Sequence, residues 1–244
     1  MNKVILGDCL IEMKKIPDKS IDMILCDLPY GTTACKWDTI IPFEPLWEQY
    51  KRIIKDNGAI VLTASQPFTS ALVMSNPKMF KYALIWDKVK SSQPHLSKIQ
   101  PMKRHEDILI FGESKVNYYP QKVLKEKPRK AYGSKMTDNN DHKLGLKQLP
   151  PYLITHSYPT SILPFSNADN TNRVHPTQKP VALFEYLIKT YTNEGDLVLD
   201  NVAGSGTTGV ACQNLNRNFI LMEQEPEYVE IIKQRLELNK EANQ

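Results

Sequence analysis

Cysteine is scarce in this chain of 244 residues: Cys9, Cys26, Cys35 and Cys212 form no CxxC pair and have no histidine at metal-ligand spacing. That pattern excludes a zinc site and a disulfide framework, and it suits a reducing compartment. Long apolar runs are missing too. The opening MNKVILGDCL is apolar for too short a stretch to be a secretory signal, and no segment approaches a membrane span, so the expected location is the cytoplasm, away from membranes. Nor is there a strong excess of one charge. Lys and Arg number 31 against 27 Asp and Glu, a balance of +4 that permits a polyanionic partner without demanding one. No internal repeat is visible. With 41% hydrophobic and 24% charged residues the chain is neither disordered nor fibrous, and its length fits one large domain or one domain with an insertion.

What is present is a rhythm. Short β-branched runs alternate with helical patterns: KVIL, CLIEMKK, IDMILC, PLWEQYKRII and AIVLT follow one another from the N-terminus, and strands are also expected at YALIW and DILIF. Later, PVALFEYLIKTY, TTGVACQNL and PEYVEIIKQRL read as helices around the strands LVLD and FILM. Pro180 and Pro226 suit a first helical turn, where a missing N–H does no harm. The order predicts an α/β protein with a mostly parallel sheet covered by helices on both faces.

From Gly112 to about Asn170 this rhythm fails. The stretch is rich in lysine, densest at Lys125, Lys127, Arg129 and Lys130, and it interleaves Tyr118, Tyr119, Tyr132, Tyr152 and Tyr158. Cations and aromatic rings together suit a nucleic-acid grip, while a solvated linker explains the composition equally well. The expected division is therefore 1–111 and 171–244 as two halves of one domain, with 112–170 inserted between them.

A glycine fingerprint follows LVLD. Gly204, Gly206 and Gly209 satisfy G-x-G-x-x-G at the start of a helix, and Glu223 ends the next strand at the spacing of a ribose-binding acid. A nucleoside cofactor is implied. NAD(P) is the first candidate, but too little sheet remains downstream for a dinucleotide fold. The missing strands stand at the N-terminus, so the sheet closes if the chain is circularly permuted, with LVLD first, FILM second, VIL third and IDMILC fourth. Asp200, Glu223, Asp8 and Asp27 then all fall at the carboxyl ends of these strands, the edge where open α/β sheets bind ligands. Any one of them is explained as a helix N-cap; that explanation is poor for all four.

In the order DLPY at Asp27 to Tyr30, a basic insertion, HPTQKP at His175 to Pro180 and DNVAGSGTTG at Asp200 to Gly209, the chain resembles the β-class amino DNA methyltransferases, which use S-adenosylmethionine. The resemblance spans the two ends of the chain and leaves the insertion unmatched. It departs from the family pattern at Leu28 and Asn201, where proline is usual, and at Val202, where an aromatic is usual. It implies a circularly permuted Rossmann-like methyltransferase sheet whose first part is the catalytic half, whose last part is the cofactor-binding half, and whose insertion is a target-recognition region. The roles it implies are Asp27, Pro29 and Tyr30 as catalytic residues, Asp8 beside the cofactor adenine, and Glu223 on its ribose. It puts Asp200 with Ala203, Gly204, Ser205, Gly206 and Thr207 around the methionine moiety. Lys179 would complete that cofactor wall, although HPTQKP also reads as a turn before a helix. Trp37 is a candidate to close over the target base, and His105 and Glu106 fall near its pocket. The implied partners are double-stranded DNA, a possible second copy of the chain and a possible cognate restriction endonuclease, with no metal.

The chemistry gives the order acid, proline, aromatic a purpose. An exocyclic amine is a poor nucleophile because its lone pair is delocalised into the ring. Asp27 would accept one N6–H of adenine and the Pro29 carbonyl the other, stabilising the charge that develops on methylation. The base must leave the duplex to be reached, and the Tyr30 ring offers it a stacking face, in which case the phenol is expendable. Cytosine N4 is the nearest rival substrate, for which serine more often stands where Asp27 does. RNA and a protein glutamine amide are more distant, and a DNA-binding protein without turnover would be expected to have lost the acid or the glycine loop.

Overall fold

In the computed structural model the strand signals resolve into one large sheet. The structure describes residues 2–32, 38–92, 94–132, 134–137, 145–148, 150–167 and 178–242. In chain order the elements are β1 (Asn2–Leu6), α1 (Cys9–Glu12), β2 (Ile21–Cys26), α2 (Phe43–Ile53), β3 (Ile54–Ala64), α3 (Phe68–Ser75), β4 (Phe80–Ser92), β5 (Lys103–Phe111) and β6 (Val123–Ala131). There follow β7 (Ser134–Thr137), β8 (Gly145–Gln148), β9 (Tyr152–Ser157), β10 (Ile162–Pro164), α4 (Val181–Tyr191), β11 (Leu197–Asp200), α5 (Thr207–Asn214), β12 (Asn218–Glu223) and α6 (Pro226–Ala242).

The eight-stranded sheet has the order β1-β12-β11-β2-β3-β5-β4-β10. Every pairing is parallel except the two made by β5, which runs antiparallel to β3 and β4. The C-terminal strands β11 and β12 therefore sit between β1 and β2, as the permuted reading predicts, and the α/β class stands. β2 shows why the sheet is so apolar. Met23 and Leu25 enter one core with α4, α5 and α6, whereas Ile24 and Cys26 enter the other with α2 and α3. A strand buried on both faces has no polar side to alternate with, and IDMILC reads as nearly continuous hydrophobicity for that reason. Helix α2 presents Leu46, Trp47, Tyr50 and Ile53 to its core, a stripe at helical spacing. Helix α3 has no such stripe over its short length, burying Phe68, Thr69 and Leu72, and no helix was expected there.

The chain divides into two compact units, Met1–Tyr119 with Ser161–Gln244, and Pro120–Thr160. The smaller unit has two antiparallel strand pairs, β6 with β9 and β7 with β8. Strand β10, from the stretch where the rhythm fails, pairs with β4 at the edge of the main sheet. No helix among the described residues is long and apolar enough to cross a membrane.

The turn from β11 into α5 depends on Gly206. Its φ of +79° lies in the left-handed region, and a Cβ there would stand 3.0 Å from Ile232 Cγ1 of α6. Gly206→Ala is expected to cost about 1–2 kcal/mol for the backbone alone and more for the crowding against Ile232; urea unfolding midpoints measure it.

Candidate active site

The carboxyl ends of β1, β12, β11 and β2 open onto one cavity of about 580 Å³. Asp8, Asp27, Asp200 and Glu223 all line it, as do Pro29, Tyr30, Lys179, Ala203, Gly204, Ser205 and Thr207. Of the cofactor residues expected from the sequence, Gly206 is not in the lining, because it turns the chain against Ile232. Trp37 and His175 lie outside the described residues. His105 is exposed and opposite Asp87 in the β4–β5 register, away from the cavity, while its neighbour Glu106 lines it.

On the glycine-loop side each acid is tied to the backbone. Asp8 caps α1, its Oδ1 accepting from the N–H groups of Leu10 at 2.8 Å and Ile11 at 3.2 Å. Glu223 Oε2 accepts from Gly204 N–H at 2.8 Å, and Oε1 accepts from Gln224 and Glu225 at 2.9 and 3.0 Å. Burial raises the Glu223 carboxyl pKa, and those three amides pull it back. Asp200 accepts from Val202 N–H at 3.2 Å and from the Thr208 hydroxyl. Burial pushes its pKa up to about 7 against the pull of these bonds. The capping role and the site are therefore not rival explanations: the bonds that fix the loops also aim the carboxylates at the cavity.

Asp27 stands differently. It follows the last residue of β2, and all its side-chain donors come from side chains. Oδ1 accepts from the Tyr30 hydroxyl at 2.8 Å and from Thr63 at the end of β3; Oδ2 accepts from Lys179 Nζ at 2.6 Å. Lys179 Nζ also lies 3.4 Å from Glu106 Oε2, and Glu106 Oε1 pairs with Lys88. Burial opposes the Lys179 charge, but Asp27 and Glu106 outweigh it and hold its pKa above the ordinary lysine value. Burial, reinforced by Asp27 and Glu106, holds the Tyr30 phenol well above its usual range, so it remains a donor. The Tyr30 ring stacks on Phe68, with centroids 5.2 Å apart.

Two expectations shift on this geometry. Lys179 lines the cavity, but its ammonium bonds the catalytic candidate Asp27. The Tyr30 phenol has a partner that the stacking account leaves out. Thr63, Lys88 and Trp86 join the site without having been expected; a threonine closing the apolar run AIVLT beside β2 was the readable signal for the first of them.

The acids also bear on what the glycine loop can hold. Gly204 N–H is taken by Glu223, and Asp200 is buried close by, so a pyrophosphate would meet negative charge where a dinucleotide fold offers amides. A cationic, hydroxyl-bearing nucleoside fits this set of acceptors, and the cavity volume is that of a small-molecule site.

A family model described as DNA methylase matches residues 21–234. The type II methyltransferase M.HpaI of Haemophilus parainfluenzae is 29% identical over 248 residues, covering 96% of this chain and 74% of that protein. The DNA adenine methyltransferase YhdJ of Escherichia coli is 29% identical over 257 residues, covering 96% and 82%. The crystal structure of an M1.HpyAVI–SAM complex aligns with a TM-score of 0.66 at 25% identity, over 97% of this chain and 99% of that one. The cytosine-N4-specific PvuII DNA methyltransferase shares the fold, with a TM-score of 0.68 at 17% identity over 96% and 86%.

The raised Asp200 pKa has a measurable sign. Its folded value of about 7 lies above the unfolded value of about 3.9, so the folded chain binds more protons between the two and stability falls as pH rises through that window. Asp200→Asn keeps an acceptor for Val202 and removes the titration. It is expected to be the more stable protein at neutral pH by roughly 2–4 kcal/mol, with the gap closing toward about pH 4. Urea midpoints across pH check this; parallel curves would show that Asp200 is not the titrating group.

Proposed function

The chain belongs to this DNA methylase family, as an S-adenosylmethionine-dependent DNA methyltransferase, and we propose that its target is the N6 amine of an adenine flipped out of double-stranded DNA. The observation that carries this reading is Asp27, an acid held by side-chain donors in the same cavity as Asp200 and Glu223. An acid at this position favours adenine over cytosine, and the adenine-specific name of the E. coli relative supports the same choice.

When bound, S-adenosylmethionine supplies a methyl group made electrophilic by its sulfonium. Glu223 would take its ribose hydroxyls and Asp8 would stand by its adenine, with Asp200 and the Ala203–Thr207 loop around its methionine end. The acids of this wall complement a cation. At the other end of the cavity Asp27 accepts one N6–H and the Pro29 carbonyl the other, orienting the nitrogen lone pair toward the methyl group. The N6 lone pair forms the new N–C bond as the C–S bond breaks. Asp27 stabilises the positive charge on N6 until one N6 proton leaves to solvent. Tyr30 and Thr63 fix the carboxylate, and a pre-fixed acceptor needs no reorganisation as charge develops.

In the smaller unit, β6 carries Lys125, Lys127, Arg129 and Lys130, the last three exposed, while Tyr132, Tyr152 and Tyr158 are exposed nearby in sequence. Lys122 Nζ lies 4.7 Å from the centre of the Tyr158 ring. Cations beside exposed rings support the reading of this unit as a target-recognition region that grips DNA phosphates.

Three measurements test the reading. Asp27→Ala is expected to leave S-adenosylmethionine affinity by calorimetry near wild type and to lower single-turnover transfer far more than tenfold; a loss within about tenfold, ~1.4 kcal/mol, removes Asp27 from the chemistry. Tyr30→Phe keeps the ring but deletes a hydrogen bond to a carboxylate, worth about 1.5–3 kcal/mol, so transfer should slow at least tenfold, and Tyr30→Ala should slow it further. A Tyr30→Phe enzyme at wild-type rate would restore a pure stacking role. Replacing Lys125, Lys127, Arg129 and Lys130 by glutamine should flatten the log–log salt dependence of DNA binding by roughly one unit for each phosphate no longer neutralised, whereas an unchanged slope would move the grip elsewhere.

A further inference from the structure

Lys179 stands between two carboxylates that are unequally satisfied. Asp27 has three donors, from Tyr30, Thr63 and Lys179 itself. Glu106 accepts from Lys88 through Oε1, but its Oε2 is buried without a hydrogen-bond partner. The Lys179 ammonium lies 2.6 Å from Asp27 Oδ2 and 3.4 Å from Glu106 Oε2, so it is bonded to the well-supplied acid and only adjacent to the poorly supplied one. The Lys179 and Glu106 side chains are nearly dry, at 8% and 12% exposed, while the Asp27 end is 24% exposed.

This geometry is a poor one for methyl transfer and a good one for waiting. A carboxylate offers about four lone-pair sites, and both on Asp27 Oδ1 are taken by hydroxyls, which leaves Oδ2 for an incoming amine. Lys179 already takes one of the two Oδ2 sites, so an incoming amine would have to share that oxygen with an ammonium that repels the positive charge growing on it. Moving the ammonium toward Glu106 removes both conflicts and gives the orphaned Oε2 its donor. The move stays among partners, since Lys179 Nζ already lies 5.8 Å from the Tyr30 ring centre and 6.0 Å from that of Trp86. Lys88 holds the receiving acid from the far side.

We propose that Lys179 is a positioning residue that passes from Asp27 to Glu106 when the target amine binds. In the free enzyme it holds the Asp27 carboxylate in place through Oδ2; with the base in place it yields Oδ2 and completes Glu106. The inference rests on Asp27 being the acceptor of the target amine. It gives Lys179 a place in the base pocket, and it gives Glu106 a function that needs no contact with DNA or cofactor.

A double-mutant cycle tests it on the full chain. Glu106→Gln keeps the volume and removes the charge that receives the ammonium, so kcat for methyl transfer should fall by about tenfold or more, while the calorimetric Kd for S-adenosylmethionine stays within about twofold of wild type. In the Lys179→Gln background there is no ammonium to hand over, and adding Glu106→Gln should cost little further. Losses that multiply in the double variant would overturn the proposal, because they would mean that Glu106 acts independently of Lys179. A Lys179→Gln enzyme with weakened cofactor binding and an unchanged kcat would also overturn it, returning the lysine to the cofactor wall. Should Glu106→Gln not fold, Glu106→Asp retains the charge but withdraws the oxygen from the ammonium, and the same dependence on Lys179 is expected. The underlying reading fails separately: Asp27→Ala with near-normal transfer would remove it. A methylated cytosine product would change the base while the cycle still reports on the handover.

Discussion

The ion pair between Lys179 and Asp27 joins residues 152 positions apart at 2.6 Å, and the arrangement of the site depends on it. Asp27 ends a strand from the first part of the chain; Lys179 precedes α4, which leads into β11 and the glycine loop. A buried ammonium must be paired, and the half-buried carboxylate of Asp27 accepts from it. The permuted sheet meets that need. With β11 inserted beside β2, the segment that precedes α4 comes to the carboxyl edge of β2, and each ion becomes the other's partner. Each ion has a second tie as well, Asp27 to the Tyr30 and Thr63 hydroxyls and Lys179 to Glu106 at 3.4 Å, so neither is left alone if the pair opens.

The charge pattern across the cavity then divides it by function. On the glycine-loop side Asp8, Asp200 and Glu223 are held by backbone amides and a threonine hydroxyl, and no cation bonds them among the described residues. That side is net acidic and suited to a cationic cofactor. On the other side Lys88, Glu106, Lys179 and Asp27 alternate in sign, so a neutral base enters without meeting a net field. On the proposed reading, a methyl group passing from one side to the other would carry positive charge toward Asp27, the acid at the end of the alternating series. The same acid thus terminates the series electrostatically and is, in the proposed mechanism, the one that receives the target amine.

Much of this was legible in the sequence because the signals were local. IDMILC and LVLD declared buried parallel strands by continuous hydrophobicity, and the glycine spacing with Glu223 declared a nucleoside site. The permutation followed from counting strands on either side of that fingerprint. The partners of Asp27 were harder to read because each comes from a different element. Thr63 ends β3 and Lys179 precedes α4, while Glu106, the other acid beside Lys179, lies in β5, and no spacing rule links such positions. The motif at His175 to Pro180 pointed to a wall of the cofactor site, but which acid its lysine would choose depended on how α4 seats against the sheet. Helix α3 escaped for a related reason: one short turn-rich segment with two buried apolar side chains carries too little periodicity to separate from a loop.

Two of the three departures from the family pattern, Leu28 and Asn201, are compensated within the fold. Leu28 stands where proline usually stiffens the catalytic turn, yet it is 3% exposed and packed in the core with α2 and α3. Beyond it the N–H groups of Gly31 and Thr32 donate to the two oxygens of Asp38 at 2.8 and 2.9 Å, a clamp that ties down the backbone a fixed φ would otherwise restrain. Asn201 replaces the second proline and is held through its oxygen, Oδ1 accepting from the Tyr50 hydroxyl at 2.6 Å and from the Cys26 thiol at 2.8 Å, while its Nδ2 is buried without a partner. Those bonds tie the ends of β11 and β2 to α2, immediately beneath Asp27 and Asp200. Where proline would restrict the chain by covalent geometry, this protein restricts it by burying polar side chains that have to be bonded. Rigidity at the catalytic turn is therefore a property of the packed state, reached only once β2, β11 and α2 have come together.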